Sequence, residues 1–328
     1  MIISKTPLRI SFFGGGTDFR GYFENSRFGY GEVLSTAVNM YVYITVSKKF
    51  DDQIRVCYSQ TEIVNSVDEI KHNIIREALK MAGITKGVEI VYAADLPLAT
   101  AGVGLASSSA IAVGVLNALM AYKGIYVPPN KLAQMACELE INRLSNPIGI
   151  QDQYAVSHGG FRRYQFFADG SVGIEPILVS LKSLQKLKSS LMLFYTGITR
   201  NSSTIMREQS DTIVQKMQLL DSMVEDAEAA YSALHQGDID NWGPMLDSIW
   251  EKKKRYASGI SNPIIDEMYR LAQDAGATGG KILGAGGGGF LLLYVPKERQ
   301  NAVRKALHKF REIDFLFESS GSRIIFFD

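Results

Sequence analysis

The chain has 328 residues, enough for two domains or one large one, and its composition (46% hydrophobic, 21% charged) is that of a folded protein with a sizeable core. Thirty-five Lys and Arg against 34 Asp and Glu leave a net charge of +1, which excludes bulk attraction to nucleic acid as the main function. No apolar run reaches the roughly 18 residues of a membrane span, and no signal peptide is expected. Cys57 and Cys137 are too few for a disulfide framework and lack zinc-ligand spacing, so we expect a soluble protein of the reducing cytoplasm.

The first half of the chain is predicted to mix strands and helices. Strands rich in β-branched and aromatic residues are predicted over 8–13, 41–49, 53–59 and 87–95. Helices are predicted over 73–81, 108–122 and 130–144, the first stopping at Gly83 and the last capped by Asn130 behind two prolines. A hairpin is predicted over 161–168 and 171–179, with its turn at Asp169 and Gly170.

The second half is predicted to be richer in helix. The predicted elements are a strand over 191–196, helices over 203–235, 239–257 and 264–275, a strand over 290–295, a helix over 297–310, and strands over 313–318 and 323–327. Because strands and helices do not alternate regularly, we predict an α+β fold rather than a doubly wound sheet. The domain boundary is placed near residue 185, giving domains over 1–185 and 186–328.

Glycines are clustered at three places, each at the end of a predicted element. Gly14 to Gly16 follow a strand, Gly102 and Gly104 precede a helix, and seven glycines lie in 279–289. Turns account for one such cluster, whereas three indicate backbone that closely approaches a ligand.

The middle cluster leads directly into a helix. Gly102 and Gly104 are followed by Ser107, Ser108 and Ser109. A glycine loop running into a serine-capped helix brings unpaired backbone N–H groups and the positive helix end together, which suits a phosphate chain, and serine hydroxyls can also bind Mg²⁺. A capped helix after a flexible loop, with no ligand, explains this segment equally well.

The sequence around the last glycine cluster, 279–289, excludes two other kinds of nucleotide-binding site. Residues 284–289 formally match a dinucleotide fingerprint, but that pattern must open a helix, and here a buried strand is predicted to follow. A P-loop is absent from the sequence, because Lys281 is followed by Ile282 rather than Ser or Thr. A nucleophile elbow is absent as well, so a serine hydrolase has little support.

Three acidic residues are candidates for phosphoryl-transfer chemistry, which needs a carboxylate for Mg²⁺ and often one that receives a proton. Glu140 lies on a predicted helix, where most single Glu residues are merely solvated. Asp152 lies in a loop-like neighbourhood with amide neighbours. Asp18 follows the first glycine cluster, as a turn or cap residue or as a ligand for substrate hydroxyls. The basic run over 251–255 is expected to be a solvated helix face.

With these residues assembled, three segments resemble the signatures of the GHMP small-molecule kinases and occur in that superfamily's order. They are residues 6–18, 102–110 and 281–290. The resemblance spans nearly the whole chain. It implies an N-terminal domain like ribosomal protein S5, a ferredoxin-like C-terminal domain, an active site between them, and ATP and Mg²⁺ as cofactors.

Four further segments (14–18, 149–154, 199–203 and 261–266) resemble the heptose 7-phosphate kinases within this superfamily. The implied reaction is ATP-dependent phosphorylation of a sugar at its anomeric hydroxyl, with D-glycero-D-manno-heptose 7-phosphate as the expected acceptor. The expected partner is thus a small sugar or sugar phosphate, and neither nucleic acid nor a membrane. The alternatives are another sugar-1-kinase, of the fucose or galactose type, and a nucleotide-binding module without catalysis.

The resemblance also implies a role for each matching residue. Ser108 and Glu140 would hold Mg²⁺, and Asp152 would be the base for the sugar hydroxyl. Arg9 would keep that aspartate ionised and steady the transferring phosphoryl group. The residues expected to line the nucleotide phosphates are Gly102, Gly104, Ser107, Ser108 and Ser109, and those expected to bind the sugar are Gly15, Gly16, Thr17 and Asp18.

Two departures from the superfamily affect these expectations. Galactokinases have Glu-His where this chain has Gly15 and Gly16, which favours a larger sugar phosphate as acceptor. The lead-in to the phosphate loop, 97–104, is longer than usual, and Ala106 stands where glycine is usual. If that position requires a positive φ, the alanine is strained.

Overall fold

Two β-sheets organise the chain in the computed structural model, which describes residues 1–96, 104–199 and 203–328. The strands of the larger sheet are β1 (Ile2–Phe13), β2 (Tyr30–Lys48), β3 (Ile54–Cys57), β4 (Thr61–Val64), β5 (Val88–Ala94), β6 (Phe161–Phe167), β7 (Val172–Pro176) and β12 (Arg323–Phe327). The strands of the smaller sheet are β8 (Leu191–Tyr195), β9 (Gly279–Ile282), β10 (Phe290–Tyr294) and β11 (Arg311–Glu312).

Helices cover these sheets and connect them. The described α-helices are α1 (Arg20–Phe23), α2 (Asn73–Ala82), α3 (Ser107–Tyr122), α4 (Pro129–Cys137), α5 (Gln151–His158), α6 (Leu181–Ser190), α7 (Ser203–Asp211), α8 (Met217–Gln236), α9 (Trp242–Lys254), α10 (Pro263–Asp274) and α11 (Gln300–Ala306). Within the three described ranges, no helix combines the length and the apolar character that crossing a membrane requires.

The long strand β2 is the centre of the larger sheet. It pairs with β1 along most of its length, with β6 through its first half and with β5 through its second half. The last strand, β12, pairs with the outer edge of β1, so the end of the chain returns to the sheet that the first half builds. The boundary near residue 185 stays a prediction.

Helix α3 lies in the core against β1 and β2, with α2, α4 and α5 around it. Most of its residues from Ser109 to Met120 are buried on every side, as expected for a helix that is apolar all round. The burial fixes the position of the helix N-terminus, where the three serines lie.

Aromatic packing joins the smaller sheet and its helices to the end of β1. The indole of Trp242, the first residue of α9, lies 5.2 Å from the ring of Phe12 and 5.1 Å from that of Phe13, both edge-to-face. Edge-to-face contacts of this kind stabilise a junction beyond the area they bury. They place α9 and β9 beside the strand that carries Arg9.

The α+β class predicted from the sequence is confirmed, as are most of the predicted elements. The helix predicted over 203–235 is divided into α7 and α8, because the β-branched run Thr212, Ile213 and Val214 lies between them and disfavours helix. The strand predicted over 313–318 is wrong: there, only Phe317 forms an isolated bridge, to Val38.

Two predictions around the fourth helix are also corrected. Pro128 occupies the N-cap position and Pro129 the first turn, so Asn130 does not cap the helix. The helix predicted to run to residue 144 changes at Glu138 into a π-helical segment, Glu138–Arg143. Such segments widen the helix by one residue per turn and often occur at functional sites.

Candidate active site

A cavity of about 830 Å³ lies among the end of β1, the N-terminus of α3, helix α5 and the smaller sheet. The structure brings most of the predicted site residues to its wall: Arg9, Gly15, Gly16, Asp18, Gly104, Ser107, Ser108, Ser109, Glu140 and Asp152. Gly102 and residues 200–202 of the segment 199–203 lie outside the described residues. Thr17 is not on the wall, because its hydroxyl donates to the Gly14 carbonyl (2.8 Å) and accepts from the Glu32 backbone N–H (2.9 Å).

Arg9 and Asp152 form a bidentate ion pair at the cavity. The Arg9 Nε donates to Asp152 Oδ1 at 2.7 Å and its Nη2 to Oδ2 at 2.8 Å, which fixes the plane of the carboxylate. The remaining Nη1 donates to the carbonyl of Gly104 at 2.8 Å. One buried guanidinium therefore holds both the aspartate and the glycine loop before α3.

Asp152 lies on a helix, not in the loop that the sequence predicts. It is the second residue of α5, which begins after Ile150 and ends at Gly159, whose φ is +66°. Five of its residues, Gln153 to Ser157, are buried, so the helix lacks the polar face by which an amphipathic helix is detected in a sequence.

The Glu140 carboxylate is completely buried and surrounded by neutral donors. Ser108 Oγ donates to Oε1 at 2.5 Å, and Ser109 Oγ (2.7 Å) and Gln153 Nε2 (2.6 Å) donate to Oε2. Burial raises the pKa of Glu140, and these hydrogen bonds oppose the rise only in part. A buried carboxylate whose described partners are all neutral is stabilised by a cation.

Ser108 and Glu140 fit Mg²⁺ in the chemistry of their donor atoms. A hydroxyl and a carboxylate oxygen are ligands that Mg²⁺ prefers, and the carboxylate carries the uncompensated charge. Among the described residues no group of three or more His, Cys, Asp or Glu could hold a metal. A sparse set of protein ligands is typical of Mg²⁺ sites that share the ion with substrate phosphates.

The start of α3 differs from the serine-capped helix expected. Ala106 is the N-cap residue, with φ +63° and ψ +33°, and no side chain caps the helix. The positive φ anticipated for this position is therefore present, together with its strain on an alanine. The Ser107 hydroxyl is buried on the cavity wall without a described hydrogen-bond partner. This hydroxyl and the unpaired N–H groups of the first turn can therefore bind an anion.

Asp18 is buried and held rigidly at another part of the wall. It accepts hydrogen bonds from the backbone N–H groups of Gly16 (3.0 Å) and Gln151 (3.1 Å) and from the Gln151 side chain (2.9 Å). Burial, and secondarily the charge of Asp152, raise its pKa. Gly149 is required here, because a Cβ on it would lie 2.0 Å from Asp18 Oδ2.

The two glycines before Asp18 differ in their tolerance for a side chain. Gly16 has φ +106°, and an added Cβ would lie 2.6 Å from the ring of Tyr256. Gly15 has space, since the nearest atoms to its added Cβ are 3.9 Å away. The missing side chain thus enlarges the cavity at Gly15, whereas at Gly16 the fold itself requires glycine.

Two of the glycine clusters contact each other. A Cβ on Gly104 would lie 2.5 Å from the Leu283 carbonyl oxygen, and a Cβ on Gly284 would lie 2.4 Å from the Gly104 Cα. Both residues have positive φ. The two loops therefore pack against each other at a point where both glycines also line the cavity.

The prediction of a solvated face over 251–255 is wrong for Lys253, which is 7% exposed and lines the cavity. Its Nζ donates to the carbonyls of Ile282 (2.8 Å) and Gly284 (2.5 Å). The sequence did contain a signal: Lys253 continues, at helical spacing, the buried stripe of Trp242, Leu246, Ile249 and Trp250.

Three aromatic residues that sequence reasoning did not select form a further part of the wall. The rings of Tyr58 and His72 meet edge-to-face at 4.9 Å, and those of His72 and Tyr92 at 6.4 Å. Tyr92 Oη is buried without a described hydrogen-bond partner. These residues come from β5 and from the segments beside β3 and α2, and no local motif connects them.

A glycine loop opening a helix, an Arg–Asp pair and oxygen ligands for Mg²⁺ are the parts of a phosphoryl-transfer site. Comparison with known families agrees with this class. Residues 69–160 match the GHMP kinases N terminal domain and residues 230–312 match GHMP kinases C terminal. The chain belongs to the GHMP kinases, which use ATP as phosphate donor.

Individual relatives extend the match over nearly the whole chain. The chain is 28% identical to a D-glycero-alpha-D-manno-heptose 7-phosphate kinase of Campylobacter jejuni, over 98% of this chain and 97% of that protein. It is 24% identical to a galactokinase of Pyrococcus furiosus, over 93% of this chain and 92% of that protein. A crystal structure described as a D-glycero-D-manno-heptose 1-phosphate kinase from Bacteroides thetaiotaomicron superimposes with a TM-score of 0.81 at 24% identity, covering 100% of both chains.

Proposed function

We propose that this protein transfers the γ-phosphoryl group of ATP to the anomeric hydroxyl of a sugar, and that the sugar is D-glycero-D-manno-heptose 7-phosphate. The observation that carries the proposal is the guanidinium of Arg9, which contacts both Asp152 and the loop before α3. Support for a sugar acceptor comes from the sugar kinases among the relatives, and support for the heptose from the Campylobacter relative.

On the acceptor side, Asp152 is the base. Arg9 occupies one lone pair on each carboxylate oxygen, so each oxygen keeps another with which to accept the proton of the sugar hydroxyl. As the hydroxyl oxygen attacks phosphorus, its proton passes to Asp152. Arg9 fixes the orientation of that carboxylate and adds positive charge where negative charge develops.

On the donor side, the first turn of α3 holds the phosphates of ATP. The unpaired backbone N–H groups of residues 107–109 and the Ser107 hydroxyl face an anion there, while the hydroxyls of Ser108 and Ser109 donate to Glu140. Ser108 and Glu140 are the residues that would hold Mg²⁺, which when bound neutralises phosphate charge and orients the phosphate chain.

Two further parts of the cavity wall bind the sugar hydroxyls of the acceptor and the base of the nucleotide. Asp18, with the open space at Gly15, accepts hydrogen bonds from sugar hydroxyls. Tyr58, His72 and Tyr92 provide aromatic surface and an unpaired phenol oxygen for the nucleotide base. Burial lowers the pKa of His72, so this histidine is neutral at physiological pH and suits an uncharged ring.

The test is ADP release from MgATP with heptose 7-phosphate, mannose, galactose, fucose or mevalonate, with the product identified by ³¹P NMR. We expect the strongest signal with heptose 7-phosphate and a 1,7-bisphosphate product. A strong signal with fucose or galactose alone would identify a different sugar-1-kinase. Nucleotide binding without release of ADP on any sugar would contradict the proposal in favour of a module without catalysis.

A further inference from the structure

We propose that Lys253 and Lys281 form an additional anion subsite, which binds the phosphoryl group while it passes from ATP to the acceptor. The inference rests on the proposed phosphoryl transfer and adds two residues to it. Neither lysine belongs to the residues that the sequence assigned to catalysis, phosphate binding or metal binding.

The two ammonium groups are buried and have no carboxylate among their described hydrogen-bond partners. Lys253 is 7% exposed and Lys281 3% exposed, and both lie on the cavity wall. Lys253 donates to the Ile282 and Gly284 carbonyls, and Lys281 donates to the Phe12 carbonyl at 2.7 Å. Since an ammonium group has three N–H donors, one on Lys253 and two on Lys281 remain for a ligand.

The electrostatic surroundings of the two lysines favour the binding of an anion. Burial is the main cause that lowers the pKa of both lysines, that of Lys281 to about 7, and the charge of Arg9 lowers both further. Buried cations that repel one another are unfavourable unless an anion compensates them. The one carboxylate that Arg9 contacts, Asp152, is already engaged by that guanidinium.

Each lysine is anchored beside one of the two loops, Lys253 beside the donor loop and Lys281 beside the acceptor loop. Lys253 bonds to the carbonyl of Gly284, whose backbone is packed against Gly104 at the loop before α3. Lys281 bonds to the carbonyl of Phe12, two residues before the Gly14 turn that leads to Asp18. The two ammonium groups are therefore anchored at the two loops between which the phosphoryl group is transferred.

In the proposed step, the sugar O1–P bond forms as the bond between γ-phosphorus and the bridging oxygen of ADP breaks, and the hydroxyl proton goes to Asp152. In this loose transition state negative charge is spread over the three equatorial oxygens of the phosphoryl group and builds up on the leaving oxygen. The three remaining N–H donors of the lysines bind those equatorial oxygens. Because the lysines are anchored at both loops, they contact these oxygens best in mid-transfer, so their contribution is larger in the transition state than in the bound substrates.

The variants K253M and K281M test the proposal, with K254M as the matched control. Methionine keeps much of the side-chain volume and removes the charge. Lys254 is the adjacent residue of α9 and pairs with Glu251 away from the cavity. We expect kcat to fall roughly 10²–10³-fold in K253M and K281M, as for loss of one oxyanion donor, with KM changed much less. K254M keeps the wild-type kcat.

Thermal melting of the unliganded protein separates this role from a structural one. Because the buried cations are uncompensated, K253M and K281M are expected to melt at the wild-type temperature or above it. A lower melting temperature together with wild-type kcat would mean that the lysines only hold the carbonyls, and it would overturn the proposal.

Two further measurements distinguish the remaining outcomes. If the lysines instead bind the phosphate that the acceptor already carries, the variants raise KM for heptose 7-phosphate at unchanged kcat, and the assignment to the transferred group is wrong. If wild-type protein phosphorylates no sugar, the proposed function fails. In that case calorimetry with magnesium tripolyphosphate still tests the subsite: weaker binding by K253M and K281M than by K254M supports it, and equal binding refutes it.

Discussion

Two sets of buried groups on the cavity wall have opposite charge signs, and the described hydrogen-bond partners of both are neutral. We define the acidic wall as Asp18 and Glu140, which are held by backbone N–H, amide and hydroxyl donors. The basic wall is Lys253 and Lys281, which are held by backbone carbonyls. In the proposed reaction, MgATP brings a cation for one wall and phosphate oxygens for the other. The difference indicates that the charge balance of this site is completed by its substrates rather than by the protein.

The largest expected effect comes from Asp152, the proposed base, which Arg9 holds at the cavity. For D152N we expect kcat to fall roughly 10²–10⁴-fold, because the amide cannot accept the proton of the sugar hydroxyl. Steady-state ADP release measures the loss, and D169N, in the exposed hairpin turn, is the control. Turnover of D152N within a few-fold of wild type would show that Asp152 is not the base.

The acidic wall is tested by E140Q. Loss of the carboxylate is expected to raise the Mg²⁺ concentration needed for half-maximal turnover by at least the roughly 10–100-fold that loss of an outer-shell partner costs. The unliganded protein should be as stable as wild type or more stable, since a buried charge is removed. E138Q, in the same π-helical segment but exposed, should leave the Mg²⁺ titration unchanged. An unchanged titration in E140Q would exclude it as a metal ligand.

The basic wall predicts a pH-dependent difference in stability between wild type and K281M. The charged groups that face Lys281 are Arg9 of β1 and Lys253 of α9. In the folded protein the pKa of Lys281 is about 7, and in the unfolded chain it is near its ordinary value of 10.5. Below pH 7 the folded wild type therefore carries the full cost of a buried cation. As pH rises above 7 that cost is relieved, because the folded state releases the proton first.

The advantage of K281M in free energy of unfolding should thus be largest below about pH 7 and should shrink toward about pH 10. Denaturant unfolding of both proteins across this range measures it. K254M should show a difference from wild type that does not change with pH. A constant difference for K281M would mean that Lys281 keeps an ordinary pKa.

The smallest expected effect concerns Ala106, the N-cap residue of α3. Because Ala106 is at φ +63°, A106G should raise the free energy of unfolding by up to about 1 kcal/mol, as relief of left-handed strain exceeds the entropy cost of glycine. A110G, within α3, should lower it by about 1 kcal/mol. Urea titrations of both variants check the opposite signs. Destabilisation by A106G would show that the Ala106 methyl packs more favourably than its backbone is strained.

The sequence predicted the family and the α+β class because glycine clusters and the order of strand and helix patterns can be recognised locally, and both are confirmed. It did not predict helix α5, because a helix buried on all sides has no polar face, nor the π-helical turn that carries Glu140. The roles of Asp152, Glu140 and the serines stay predictions. Lys253 was wrongly predicted to be solvated, because the basic run over 251–255 was considered without the buried apolar residues that precede it on the same helix.

The contact between Gly104 and Gly284 has a consequence for protein engineering. The loop before α3 and the loop before β10 meet backbone to backbone, although 180 positions separate them in the sequence. A loop from another kinase fits here only if it keeps glycine at this position, since a side chain on either glycine would overlap the other loop. Chimeras intended to alter nucleotide choice must therefore keep Gly104 and Gly284, or replace the loop before α3 and the loop before β10 together.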